Sequence, residues 1–344
     1  MANSLITAGY DVSVIHEETE ETTNFNSDVK LISIYTGIKN SGIKRYFLWH
    51  RGLSYLLKSL EANIAIASDL YSLPAVALQS KIIRKIFDSR ELYSKHGGLK
   101  NKPFIQFFWS TIERYFIKKI DLTFVTAPGD KEYLVNRFGK INIEIIYNFP
   151  SDSLMPDKQN QLRDKLGLSS NTKIFLYQGV IHNHRGIRKM IDLLDYFPTA
   201  VVVIIGSGSA LNDIQNYTYE KKMMERVFFT GNIPYSELLN YTQCADIGFA
   251  IIQPITKSYN QALPNKIFEY SLCGVPVIAS NLPEMKKFVQ QYNLGELVNP
   301  KDKDDHVQAV NKIFSKNRNY AGKKNELTWE FQSHKFLKLV GTDA

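Results

Sequence analysis

Residues 262–280 read ALPNKIFEYSLCGVPVIAS, and the rest of the chain is ordered around them. Pro264 at a first helical position and Gly274 just past a last one predict a short helix, and Val275 to Ala279 predict an apolar strand that follows almost without a loop. On the helix Ile267, Phe268, Ser271 and Leu272 have the spacing of a face packed on a sheet, which leaves Lys266, Glu269 and Tyr270 to one another at i, i+3 and i+4. A lysine in the first turn gains nothing from the helix dipole, which favours anions there. Lys266 therefore either joins Glu269 in a weak solvated salt bridge or meets an anionic ligand.

Around this stretch the chain has 344 residues, enough for two domains, and 44% apolar content can furnish a core for each. Its two cysteines, Cys244 and Cys273, make neither a disulfide framework nor a C-x-x-C site, which fits a reducing compartment. No apolar run is long enough to span a bilayer and the N-terminus lacks the plan of a signal peptide, so the reading is cytoplasmic. A net charge of +8 suits an anionic partner. No zinc finger, RNP-like run or helix-turn-helix pattern accompanies the charge, which argues against nucleic acid.

In chain order, Met1 to Ala8 predict the end of a helix, Gly9 its left-handed stop, and Asp11 to His16 a strand. Further strands are predicted at Lys30 to Ile34, Asn63 to Ala67, Ile83 to Asp88, Leu122 to Thr126 and Ile143 to Ile146, with helical segments between them. Such alternation implies parallel βαβ units, whose ligands sit beyond the carboxyl ends of strands. Asp69 and the run Asp88 to Glu91 follow two of those ends. The apolar helix FIQFFWSTIERYFIKKI, 104–120, carries Ser110, Arg114 and Lys118 at i, i+4 and i+8. It reads first as the cover of a sheet and second as a membrane contact.

NFPSDSLMPDK, 148–158, has two prolines and no periodicity, and the interdomain linker is placed there. In LGLSSNTKIFLYQGVIHNHRGI, 166–187, Lys173 to Gln178 predict a strand and Gly179 opens a loop that ends at Arg185 and Gly186. His182 and His184 have a metal-like spacing without a third ligand. Thr199 to Ile205 and Val227 to Thr230 predict further strands. The glycines of GSGSAL, 206–211, form at best a weak dinucleotide motif, because Leu211 stands where its third glycine would be. Asp302 and Asp304 around Lys303 formally match a metal-binding D-x-D but follow Asn299-Pro300 in a polar turn before a helix, where acidic residues serve capping.

PNKIFEY with VPVIAS, the Tyr177-x-Gly179 to Arg185-Gly186 loop, IASDLYSLPA and FDSRELYS together resemble the motifs of family 4 glycosyltransferases, specifically over the second half of the chain and more patchily over the first. The resemblance implies an α/β GT-B fold: two Rossmann-like doubly wound parallel-sheet domains facing across a cleft. Expected divisions are 1–150 on the acceptor side, 151–325 for the nucleotide sugar, and a closing helix 326–344 that returns to the first domain through Trp329, Phe336 and Leu339. Met1 to Ala8 match the middle of the family's first helix, so the first domain lacks its first strand, and a longer reading frame supplying that strand is expected.

The resemblance also implies roles. Glu269 holds the ribose hydroxyls of the donor, a task that suits a carboxylate because its two oxygens accept both O–H groups of a vicinal diol. Arg185 and Lys266 neutralise the donor diphosphate beside Gly179, with Leu263, Pro264 and Asn265 at the start of the helix and Gln261 near the sugar. Asp69, Arg90 and Glu91 are the expected catalytic residues. The chain departs from the family pattern at Gln261, usually glutamate, at Ser68 and Arg90, often histidine, and at Val180, often basic. The expected activity is retaining transfer of a sugar from a UDP- or GDP-sugar to a glycan or lipid-linked acceptor, without metal or cofactor, in cell-surface polysaccharide or glycolipid synthesis, with peripheral attachment at the inner face of the membrane weighed beside it. Alternatives are a non-catalytic sugar-nucleotide-binding scaffold, motivated by those departures, and more weakly a sugar-nucleotide epimerase or an NAD-dependent oxidoreductase.

Overall fold

A computed structural model describes residues 1–17, 27–37, 43–92, 102–155, 161–315, 320 and 324–341. The end of the FDSRELYS motif, at Tyr93 and Ser94, and the last residues of the expected linker, 156–158, lie outside the described residues. The chain forms two compact units, Met1–Tyr147 with Gln332–Ala344, and Asn148–Phe331.

Unit 1 contains β1 (Ser13–Glu17), β2 (Lys30–Ile34), β3 (Ile64–Ala67), β4 (Arg84–Ser89), β5 (Leu122–Val125) and β6 (Ile143–Ile145), with α1 (Ala2–Thr7), α2 (Ile43–Ser59), α3 (Leu73–Ala77), α4 (Pro103–Phe116) and α5 (Pro128–Phe138) between them. Every strand expected here from apolar runs is present within two residues of its predicted bounds. The strands lie in two sheets: β1 pairs with β2, and β3, β4, β5 and β6 pair in that order, all parallel. β5 is buried at all four positions, as a strand covered on both faces must be. Phe87 of β4, Trp109 of α4 and Leu134 and Phe138 of α5 belong to one core. Pro128 opens α5 and Gly139, at φ +78°, closes it.

Unit 2 runs α6 (Gln161–Leu166), β7 (Lys173–Gln178), α7 (Ile187–Asp192), β8 (Ala200–Ile205), α8 (Leu211–Glu220), β9 (Val227–Gly231), α9 (Tyr235–Thr242), β10 (Ile247–Ala250), α10 (Lys257–Asn260), α11 (Lys266–Leu272), β11 (Val277–Ser280), α12 (Pro283–Gln291), β12 (Gly295–Val298) and α13 (Lys303–Ser315). Its six strands form one parallel sheet in the order β12-β11-β10-β7-β8-β9. Chain progression therefore reverses between β7 and β10, and in open α/β sheets the crevice beyond the carboxyl ends at such a reversal is where ligands bind. Asp302 caps α13 by accepting the N–H groups of Asp304 at 3.0 Å and Asp305 at 3.3 Å, the role read for it in the sequence.

The last helix, α14 (Trp329–Val340), begins in unit 2 and ends in unit 1. Trp329 lies in unit 2, where its backbone N–H donates to the Pro150 carbonyl at 2.8 Å. Phe336 lies against Phe124 at 5.8 Å between ring centroids, and the Leu339 carbonyl accepts from Arg84 at 2.6 Å, both within unit 1.

Candidate functional site

The site begins with a glycine. A Cβ on Gly248 of β10 would lie 2.4 Å from the ring of Tyr270, so only glycine lets α11 settle directly on the sheet. Tyr270 is consequently buried, and its hydroxyl donates to the Leu176 carbonyl of β7 at 3.1 Å. The spacing that left Tyr270 to Lys266 and Glu269 therefore gives way to a buried Tyr270 whose hydroxyl is bonded to β7. The first regular turn starts at Lys266, with Asn265 as its cap, rather than at Pro264. The stop at Gly274, φ +69°, is as expected.

Glu269 is buried by this docking and does not pair with Lys266 as an exposed bridge. Its carboxylate accepts from the Gln178 amide at the end of β7 and from the Tyr235 hydroxyl at the start of α9. Gln178 in turn accepts from the Thr242 hydroxyl at 2.8 Å, which fixes the orientation of the amide. Burial raises the Glu269 pKa, while the Gln178 bond, the charge of Lys266 and the Tyr235 bond pull the other way.

Lys266 projects from the first turn toward β7, with Nζ 3.5 Å from the centroid of the Tyr177 ring. Gly179, at φ +109°, leaves room beside it: an added Cβ would be 3.8 Å from both Cε and Nζ of Lys266. Burial, and next the positive charge of Arg185, push the Lys266 pKa down to about 7. Arg185 reaches the same region because Gly186, at φ +71°, packs the loop after β7 against Ile251, where a Cβ would meet the side chain at 2.4 Å. Its guanidinium lies over the Tyr259 ring at 4.9 Å. Among the described residues neither Arg185 nor Lys266 has a carboxylate within ion-pair distance. Two cations held close together on aromatic faces, with one ammonium half-discharged by its surroundings, form a place where an anion would lower the energy of both.

Leu263, Pro264 and Gln261 lie partly buried in the segment before α11, and Asn265 is exposed. The two histidines of the H-x-H spacing go separate ways: His182 Nδ1 lies 2.9 Å from the Ser209 hydroxyl and His184 Nδ1 3.0 Å from the Gln253 side-chain oxygen. Among the described residues no group of three His, Cys, Asp or Glu side chains could hold a metal. Tyr177, Gln178, Tyr235, Thr242 and Tyr259 were given no role from sequence. Only Gln178 carried a usable signal, as an amide closing an otherwise apolar buried strand.

In unit 1 the expected catalytic residues stand at strand ends. Asp69, after β3, accepts the Ser72 N–H at 2.7 Å and so starts α3. Arg90 follows β4 and donates to Asp88, itself 2% exposed, at 2.7 Å. Burial raises the Asp88 pKa, and the charge and hydrogen bond of Arg90 oppose the rise. Glu91 is exposed, and its carbonyl accepts from the Ser89 hydroxyl at 3.2 Å.

Comparison with known proteins places the whole chain. Residues 158–327 match the family model described as glycosyl transferases group 1, and residues 1–150 that of glycosyltransferase family 4. A chitobiosyldiphosphodolichol beta-mannosyltransferase of Candida albicans is 22% identical over 326 residues, covering 88% of this chain and 69% of that enzyme. Other curated relatives are matched over less than half of their own length. Among solved structures, a sucrose-phosphate synthase from Thermosynechococcus elongatus superposes with a TM-score of 0.80 at 18% identity, over 98% of this chain and 90% of that one. The Anabaena protein HepE in complex with UDP gives a TM-score of 0.70 at 13% identity, over 91% and 86%.

Proposed function

The chain belongs to the group 1, family 4 glycosyltransferases of the GT-B fold, which use a nucleotide sugar, and on that premise we propose that unit 2 binds the nucleoside diphosphate of a UDP- or GDP-sugar around α11. The carrying observation is Lys266 beside Gly179, with Arg185 near enough for its charge to act on Lys266 and the buried Glu269 on the next turn of the helix. The cations meet the diphosphate and Glu269 takes the two ribose hydroxyls. Gln178 and Tyr235, which occupy part of the Glu269 carboxylate, fix its orientation for that contact. Gln261, Leu263, Pro264 and Asn265 border the sugar. The solved relative that carries UDP supports the uridine form of the donor.

The reaction proposed is transfer with retention. The acceptor hydroxyl oxygen bonds to the anomeric carbon, the bond from that carbon to the diphosphate oxygen breaks on the same face, and the hydroxyl proton passes to the departing diphosphate. The charge that develops there is met by Arg185, Lys266 and the backbone N–H groups at the start of α11. Asp69, Arg90 and Glu91 of unit 1 serve the acceptor side. Arg90 stays protonated at neutral pH, so its part is electrostatic and not that of a base. A glycan or lipid-linked acceptor is proposed, with peripheral residence at a membrane, because the fungal relative is named for a dolichol-linked substrate. Among the described residues no helix is long and apolar enough to cross a membrane.

Calorimetric titration with UDP and with GDP tests the reading. Saturable binding of one of them, weakened on the order of a hundredfold in Glu269→Ala, is expected, since a buried charged hydrogen-bond acceptor for two hydroxyls is lost. No binding by the folded chain, or unchanged binding in the variant, would refute it. Binding without any sugar transfer would favour the scaffold alternative.

A further inference from the structure

The two cations proposed for the donor diphosphate stand on unlike supports. Lys266 belongs to the first turn of α11, whereas Arg185 comes from the loop between β7 and α7. The backbone shows how that loop is held. Among the described residues three other than glycine have positive φ: His184 at +68°, Lys222 at +55° and Asn293 at +50°. Lys222 and Asn293 come just after the ends of α8 and α12, where a left-handed residue is the ordinary helix stop. His184 follows no helix. It stands directly before Arg185, and a left-handed backbone at a residue with a Cβ persists only where the surroundings fix it.

Gln253, in the segment after β10, is what fixes it. The Gln253 N–H donates to the His184 carbonyl at 3.0 Å, and His184 Nδ1 meets the Gln253 side-chain oxygen, also at 3.0 Å. A carboxamide oxygen only accepts, so Nδ1 is the nitrogen that carries the proton. Gln253 is in turn anchored from the core. Ser280, fully buried at the end of β11, donates its hydroxyl to the Ile252 carbonyl at 3.0 Å and accepts the Ile252 N–H at 2.8 Å. Further along the same segment, the Tyr259 ring takes the Arg185 guanidinium at 4.9 Å. On the other flank of β7 the Ile181 N–H donates to the Ser207 carbonyl at 2.8 Å, so the loop is tied on both sides.

We propose that His184 is the positioning residue for Arg185: its left-handed backbone, locked to Gln253 by two bonds, delivers the guanidinium to the donor diphosphate. The inference rests on the donor reading of unit 2. Arg185 is the next residue, so a change of backbone angle at His184 swings its side chain, and a cation even slightly displaced meets the diphosphate poorly. With the clasp in place the loop is ordered before the ligand arrives. Without it that ordering is charged to binding, and affinity falls.

Calorimetric titration with UDP and with GDP, continued with whichever binds, tests the role. Gln253→Ala removes the side-chain acceptor and keeps the N–H, and His184→Ala removes the ring and keeps the Cβ. His184→Asn tolerates the left-handed backbone and carries a nitrogen donor as many bonds from the backbone as Nδ1. The first two should each weaken binding by about tenfold, and His184→Asn should stay within about threefold of the parent. In an Arg185→Met background, His184→Ala should change affinity by less than about twofold, because the role is exercised through Arg185. Thermal melts of the variants should stay with that of the parent. A loop that only holds the fold together would give neither the rescue by asparagine nor the loss of effect without Arg185. Full binding by His184→Ala and Gln253→Ala, or an equal loss with and without Arg185, would overturn the proposal. A folded parent that takes neither nucleotide removes the donor reading and this role with it, whereas a parent that binds no better than its variants removes this role alone.

Discussion

The carboxyl ends of the two sheets use polar residues in opposite ways. In unit 2 the residues that meet around α11 come from far apart in sequence: Gln178 from β7, Arg185 from the following loop, Tyr235 and Thr242 from α9, Tyr259 from α10, and Lys266 and Glu269 from α11 itself. In unit 1, Asp69 holds an amide three residues on and Ser89 holds the Glu91 carbonyl, while Arg90 holds a carboxylate two residues back, reaches the Met1 sulfur at 3.6 Å and accepts at its carbonyl from Thr126 at 3.4 Å. The short-range bonds of Asp69 and Ser89 can be accounted for by helix starts and strand ends alone. The burial of Glu269, beside a half-buried Lys266, has no such local explanation, and it supports the donor site proposed around α11.

The largest test of this contrast is Lys266→Met. Folding lowers the Lys266 pKa from 10.5 to about 7, so between those values the unfolded chain binds more protons than the fold and stability rises with pH; below about 7 the penalty is complete. A methionine of similar length removes that penalty. At pH 7 the ligand-free variant should gain about 2 kcal/mol, a gain that fades toward pH 10.5, while its affinity for the nucleoside diphosphate should fall by about thirtyfold. Parent binding should take up protons near neutrality, because the diphosphate returns Lys266 to its charged form, and the uptake should vanish in the variant. Thermal melts across pH, and calorimetry in two buffers of different ionisation enthalpy, read all of this. A variant less stable than the parent and still binding tightly would make Lys266 a packing residue.

What could be read in advance follows the range of the interactions. The strands of unit 1 and four of the six in unit 2 were legible because each is a short apolar run closed by glycine, proline or a polar residue, and β7 was placed residue for residue, whereas β10 and β12 were not predicted. The α11 stretch disclosed its stop at Gly274 and pointed to Lys266 and Glu269. It did not disclose that Tyr270 is buried, because that depends on the missing Cβ of Gly248, twenty-two positions away. The bond from Gln178 to Glu269 spans 91 residues, and no periodicity encodes it. On α4 the polar residues suggested an outward face at Ser110, Arg114 and Lys118. Ser110 is instead drawn inward to Arg137, and Phe104 and Phe107 face out.

A smaller effect is expected at Gln178→Leu, which keeps the volume and removes the amide that Glu269 uses. The bond favours the ionised carboxylate, so without it the Glu269 pKa, already raised by burial, climbs further. A protonated Glu269 accepts less well from ribose hydroxyls, and the acid limb of donor affinity should move to higher pH, with binding on the alkaline side much less affected. The pH profile of binding is the readout. A uniform loss at every pH would show that Gln178 acts through packing alone.

The smallest effect should come from unit 1. Asp88 is buried with a raised pKa, so the fold favours its protonated form, and whatever Asp88 costs the fold grows as pH rises. Arg90, whose side chain is 43% exposed, offsets part of that cost. Arg90→Ala should destabilise the chain by about 1 kcal/mol at pH 7.5 and by less at acid pH, where the raised pKa of Asp88 favours its protonated form. On an Asp88→Asn background the same change should cost almost nothing, and in neither background should UDP or GDP affinity move, because the cations that meet the diphosphate lie in unit 2. Thermal melts of the four variants at the two pH values complete the cycle. If the cycle closes while sugar transfer collapses in Arg90→Ala, the acceptor-side role of Arg90 is sharpened to chemistry beyond its ion pair. If stability and transfer fall together and recover together in the double variant, Arg90 serves only to hold Asp88, and unit 1 contributes its strand ends as scaffold.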